Sequence, residues 1–184
     1  RGLVPTINYN GEIITESAIV AQFLVDAHPS HLLKASNAEG GALQRARINF
    51  FVDAFTSKVT GLWIGALKLE PGEAKEKAAE TLVDAIAKEL EPLLADAAPF
   101  FGGSDKLTFA EVLTAGFVIR ILDFTKHEGL LPKTVPGLLQ AKAPNFWKWA
   151  SAVVKEESVT YIWDQDAMIK ANLARFEKMR APAK

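Results

Sequence analysis

The chain's 184 residues predict a mainly α-helical protein with a small α+β piece at its N terminus, on three observations. Two β-prone runs, Thr6–Tyr9 and Glu12–Thr15, flank Asn10-Gly11, the strongest short-range signal for a two-residue type I′ hairpin. From Ser17 onward the apolar residues recur mostly at helical rather than strand spacing. The composition, 49% hydrophobic, is enough to bury a core at this length.

The elements follow in order. After the hairpin, Ser17 is placed to cap a helix whose stripe is Ala18, Ile19, Phe23 and Leu24, widened by Val20 and stopped by His28-Pro29. The stretch from His28 to Gly41 lacks periodicity and is rich in turn formers, which marks a linker. A long helix is predicted from Ala42 to about Leu69, carrying Leu43, Ala46, Phe50, Ala54 and Val59 and ended by Pro71-Gly72. A second runs from about Glu73 to Ala97 with Leu82, Val83, Ile86, Leu90, Leu93 and Leu94 on one side, kinked at Pro92. Two such helices joined by Pro-Gly begin a bundle.

Phe100-Phe101-Gly102-Gly103 is a turn, and Thr108 with Glu111 forms a capping box, with Leu107 set to meet Val112 as a staple. The helix so opened, with its greasy stretch Val112–Leu122, is interrupted by Thr114, Gly116 and Arg120 and is too short to cross a bilayer. Arg120 is its odd member, expected to pair with Asp123 or Asp84 or to snorkel outward. Leu131-Pro132 and Val135-Pro136-Gly137 are assigned to a loop, Pro144 opens another helix, and Asp166–Arg180 closes the chain as a helix with a solvated basic face.

Composition narrows the function. Lys+Arg 21 against Asp+Glu 22 gives a net charge of −1, so neither nucleic acid nor an anionic membrane is an expected partner. The absence of cysteine excludes disulfides and Cys-ligated metal within these residues, and cytoplasm is the default expectation for location. No metal-ligand spacing, phosphate loop, dinucleotide fingerprint or Ser-His-Asp signature appears. His28, His31 and His127 stand in loop contexts without partners and are read as incidental.

The chemistry concentrates at the N terminus. A helix starting at Glu16 or Ser17 presents unpaired N–H groups and the positive end of its dipole to a carboxylate, with the Ser17 hydroxyl as a further donor and Glu16 beside it for an ammonium group. A cis bond at Val4-Pro5 would turn the Val4 N–H and C=O outward, so that an extended peptide adds to it as a strand. The plainer alternative is that Pro5 opens an edge strand in trans and Ser17 only caps.

Gly2, Val4, Pro5, Gly11, Glu16, Ser17, Ala18 and Ile19, in this order, resemble the second half of the thioredoxin-like domain of cytosolic glutathione transferases, with Gly-x-Val-Pro closest to the omega-like and fungal branches. The Thr108-to-Glu111 box and the Pro144…Trp149 segment resemble features of the same family's helical domain. The resemblance implies the C-terminal part of a thioredoxin-like domain over residues 1–27, a linker over 28–38 and an all-α domain over 39–184. It also implies that glutathione is the co-substrate. The Val4 main chain, ahead of Pro5, would pair with the cysteinyl part, and Glu16 and Ser17 would hold the γ-glutamyl amine and carboxylate.

In the family, a Tyr, Ser or Cys in a preceding β-α-β unit activates the thiol. That residue is expected upstream of Arg1, so no catalytic residue is assigned within this chain. A pocket for a hydrophobic electrophile is expected from Arg47, Phe51 and Phe55 on the first long helix, with Lys58 and Trp63 nearby, and a homodimer through the first two long helices. The rival functions are a non-catalytic scaffold of the same fold, as in elongation factor 1 gamma, and a glutathione-dependent thiol reductase, isomerase or ether-cleaving enzyme.

Overall fold

A computed structural model describes residues 4–180, so Gly2 of the N-terminal motif lies outside the described residues. Strands β1 (Thr6–Tyr9) and β2 (Glu12–Thr15) pair antiparallel from Thr6 opposite Thr15 to Tyr9 opposite Glu12. Both turn residues have positive φ, Asn10 at 52° and Gly11 at 93°, as a type I′ turn requires. The Asn8 side chain accepts from the Gly11 N–H at 2.9 Å and tightens the turn.

Helix α1 (Ser17–Ala27) packs back on the hairpin, with Tyr9 meeting Phe23 edge to face at 4.9 Å. It buries Val20 and Val25, whereas Ile19 and Leu24 of the expected stripe stay 58% and 44% exposed. The linker that follows is pinned on both sides. Leu32 O accepts from Phe109 N, Lys34 O accepts from Arg45 Nε, and Arg45 reaches Asp26 of α1 at 2.8 Å. Gly41 starts α2 where a Cβ would sit 2.0 Å from the Ala35 carbonyl oxygen, so no other residue fits there.

The first long helix is continuous but not uniform. Helix α2 (Gly41–Ala54) passes through a π-helical segment, Phe55–Thr60, into α3 (Gly61–Lys68) without leaving helical backbone angles. Ala54 and Val59 of the expected stripe are buried, and its first half is corrected. Leu43, Ala46 and Phe50 are exposed, while Ile48, Phe51, Phe55 and Val59 are fully buried. Helix α4 (Glu73–Glu89) buries Leu82, Val83 and Ile86 as expected but ends before Pro92, and the chain continues as a 3₁₀ turn over Glu91–Leu94 rather than as a kinked helix.

Helix α5 (Phe109–Asp123) opens with the expected capping box, while Val112 stays 46% exposed. Helix α6 (Val135–Lys142) replaces the loop expected there, Pro136 lying in its first turn, where no N–H is needed. Then come α7 (Pro144–Val153), α8 (Glu157–Thr160) and α9 (Gln165–Arg180). The chain is therefore mainly α with a small α+β piece, as the sequence predicts. No helix among the described residues is long and apolar enough to cross a membrane.

Glu111 organises the centre of the helical body. It is fully buried; Oε2 accepts from Thr108 N and Oγ1 at 2.7 Å each, while Oε1 accepts from Phe101 N at 2.9 Å and Trp149 Nε1 at 2.6 Å. One carboxylate thus ties α5 to α7 and to the turn before it. Around it Phe51, Phe101, Phe146 and Trp149 form a contiguous aromatic cluster with centroids 4.9 to 5.5 Å apart.

Candidate functional site

The hairpin register carries Val4-Pro5 into β1 beside the point where β2 releases the chain into α1. The Val4-Pro5 bond is cis, and Val4 is 95% exposed. Helix α1 begins with Glu16 at the N-cap position and Val20 N donating to Glu16 O at 2.9 Å. The N–H groups of Ser17, Ala18 and Ile19, in the exposed first turn, have no acceptor among the described residues, as is usual at a helix start. Glu16 has φ 71° and ψ 119°, a left-handed setting that costs a non-glycine residue about 1–3 kcal/mol.

One local expectation is corrected. Ser17 is not the cap; it is the first helical residue, it is exposed, and its hydroxyl makes no hydrogen bond among the described residues. Glu16 occupies the cap position without a side-chain capping bond.

The expected second pocket is redistributed. Phe51 and Phe55 have 0% exposure and belong to the aromatic core, so they are corrected from pocket wall to core. With Ile48 and Val59 they form the one face, at helical spacing, that this helix turns into the core. Arg47 remains at the surface, but Nη2 donates to Asp96 at 2.6 Å and the guanidinium lies 5.6 Å from the Phe101 ring, so its charge is already matched.

Further along the same helix, Trp63, Leu67 and Lys68 of α3 meet Arg120 of α5 and Arg175, Phe176 and Met179 of α9 around a cleft of about 250 Å³. Arg120 pairs with neither Asp123 nor Asp84. Its guanidinium lies 5.1 Å from the Trp163 ring and donates to Gly116 O, while Asp123 accepts from Trp163 Nε1 at 2.6 Å and Asp84 pairs with Lys142. Arg180 clasps the end of α9 to the end of α3, donating to Leu67 O at 2.6 Å and to Gly129 O at 2.8 Å. Carbonyls at a helix C terminus attract such a cation.

Below that clasp Lys75 is 1% exposed and donates to Gly129 O and Leu130 O at 3.0 Å each. Burial, and after it the nearby Arg180 charge, push its pKa down to about 8, against the opposing pull of Glu70. Sequence reasoning missed this lysine and the cleft above it, because both depend on how α9 returns across α3. Among the described residues no group of His, Asp and Glu is clustered to hold a metal.

An antiparallel hairpin leading into a helix N terminus, followed by this helical body, is the fold of the cytosolic glutathione transferases. It superposes on the rice GST1 (OsGSTU1) crystal structure in complex with glutathione with a TM-score of 0.75 at 24% identity, covering 96% of this chain and 75% of that one. It superposes on glutathione transferase Omega 3C from Trametes versicolor with a TM-score of 0.69 at 22% identity, covering 96% and 72%.

In sequence it is similar to glutathione S-transferase 3 of Glycine max, 24% identical over 157 residues, and to the probable glutathione S-transferase GSTU1 of Oryza sativa subsp. indica, 29% identical over 164 residues. These matches cover 85% of this chain but 65% and 66% of the two relatives, just under two thirds of their length. No family model matches the chain. The chain is thus similar to glutathione transferases in fold and, more distantly, in sequence.

Proposed function

We propose that the protein is a glutathione transferase, in which this chain supplies the grip on glutathione and one wall of the pocket for an electrophilic small molecule. The observation that carries this reading is the juxtaposition of an exposed Val4 main chain with the open N–H groups at the start of α1. In this reading the cysteinyl part of glutathione pairs with the Val4 main chain as an added strand. The γ-glutamyl carboxylate sits on the N–H groups and hydroxyl at Ser17, and its ammonium on Glu16. The cost of holding Glu16 at positive φ fits a residue kept in place for binding.

The nucleophile is the glutathione thiolate, which attacks the electrophile held alongside. The cytoplasm and a homodimer formed through α2–α3 and α4 complete the proposal.

Calorimetric titration of glutathione into the full-length protein and its Ser17→Ala variant tests it. Loss of a hydrogen bond to a charged group predicts affinity weaker by about 1–3 kcal/mol in the variant. Because Ser17 caps nothing, stability should be untouched, which separates binding from folding in this test.

A further inference from the structure

We propose that Lys75 and Arg180 form a pH-operated clasp on the end of α9, loosened when the Lys75 amine is charged and tightened when it is neutral. The clasp stands apart from the transferase reading, since none of its groups belongs to the proposed grip. Its geometry is that of two cations on one acceptor. The Gly129 carbonyl oxygen accepts from Lys75 Nζ of α4 at 3.0 Å and from Arg180 Nη2 of α9 at 2.8 Å. A carbonyl oxygen has two lone pairs, so both bonds form together, but they hold two positive charges side by side. Lys75 is 1% exposed and the Arg180 side chain 7%, so water screens their repulsion poorly.

The charges packed around the pair leave that repulsion in place. Between α3 and α4, Glu70 lies 3.6 Å from Arg180 Nη1, but its side chain is 71% exposed, one solvated carboxylate for two cations. On α4, Glu73 is exposed and Glu76 accepts from the Thr134 hydroxyl. In the turn that carries Gly129, Glu128 pairs with Lys133, and His127 Nδ1 accepts from the Gly129 N–H. Lys68 on α3 and Glu177 and Lys178 on α9 are exposed.

The end of α9 depends on the clasp because little else holds it. Phe176 is the buried residue of this helix, and Glu177, Lys178 and Met179 beyond it are exposed. Arg180 then donates to Leu67 O at 2.6 Å and to Lys68 O at 3.3 Å, the carbonyls that end α3. At Gly129, α9 comes so close that a Cβ there would lie 2.7 Å from Leu173 Cδ2. Letting the end of α9 swing out hydrates Lys75 and moves the second cation away, so a proton on Lys75 and an open end favour each other. Burial first, and Arg180 next, push the Lys75 pKa down to about 8, which sets the change within a mild pH range.

The test is hydrogen–deuterium exchange of the full-length protein at about pH 7 and about pH 9, read by mass spectrometry and corrected for the intrinsic pH dependence of amide exchange. Protection of residues 176–180 should rise by about three- to tenfold at the higher pH, while the hairpin does not change. Lys75→Met should give the same protection of that segment at both pH values. Arg180→Gln should lower its protection at both, and should raise the Lys75 pKa toward the ordinary 10.5, followed by NMR of protein labelled at the lysine ε-carbon. Should Lys75→Met fail to fold, the Lys75 titration in Arg180→Gln carries the test. Protection of the α9 end that ignores pH in the unaltered protein, or a Lys75 pKa that Arg180→Gln leaves unmoved, would overturn the proposal.

Discussion

The hairpin with α1 and the helical body are held by different physics, and the difference locates the chemistry. The first buries only Val20 and Val25 and leaves Val4, Tyr9, Ile13 and Ile19 between 50% and 95% exposed. The second encloses Phe51, Phe55, Phe109, Phe124, Phe146 and Trp149 at 2% exposure or less, around a carboxylate that satisfies four donors. The proposed grip is therefore made of backbone groups and chain direction on a lightly packed unit. The body contributes rigidity and a shaped cleft. A substitution that matters to one region should leave the other nearly untouched.

The largest expected effect is in the body. Glu111→Ala strands the Phe101 and Thr108 N–H groups, the Thr108 hydroxyl and the Trp149 indole at once, so urea unfolding should show a loss of about 3–5 kcal/mol. A loss under about 1 kcal/mol would break the contrast between the regions.

Next comes a pH effect. The folded-state pKa of Lys75, about 8, lies below the ordinary 10.5, so between these values the unfolded chain keeps a proton that the folded chain has released. Stability therefore rises with pH across that window, and the penalty is fully present below it. Unfolding at about pH 7.5 and about pH 10 should differ by on the order of 2 kcal/mol from this site, a gain absent in Lys75→Met.

The smallest effect comes from a matched pair. Both changes trim a buried ring, but Trp149→Phe also removes a donor to Glu111, whereas Trp63→Phe deletes an N–H with no partner among the described residues, so Trp149→Phe should cost about 1–3 kcal/mol more. Parallel thermal unfolding of the two variants checks this.

The hairpin, its turn, the capping box and the helix at Pro144 were legible because each is set by local chemistry: positive φ at Asn10-Gly11, a side-chain cap at Thr108, a missing N–H at Pro144. Long-range consequences were not. Periodicity alone put Phe50 inside, whereas the buried face of α2 carries Ile48, Phe51 and Ala54, and with apolar residues on both sides of the helix spacing does not choose between them. Val135-Pro136-Gly137 looked like a loop because Pro and Gly punctuate turns, yet Pro is equally at home in a first helical turn. At the candidate site Val4, Pro5, Glu16 and Ser17 were found together, since the hairpin register fixes their neighbourhood. Phe51 and Phe55 were misplaced to the pocket, and Arg120 found a tryptophan 43 positions away in place of a nearby acid.

The most direct test of the central claim is glutathione affinity in the Ser17→Ala variant of the full-length protein, read beside its unfolding midpoint. Binding in the micromolar to millimolar range that weakens by about ten- to a hundredfold, with the midpoint unmoved, is the predicted result. An affinity that does not change on loss of the Ser17 hydroxyl would contradict the assignment of α1's N terminus as the glutathione grip.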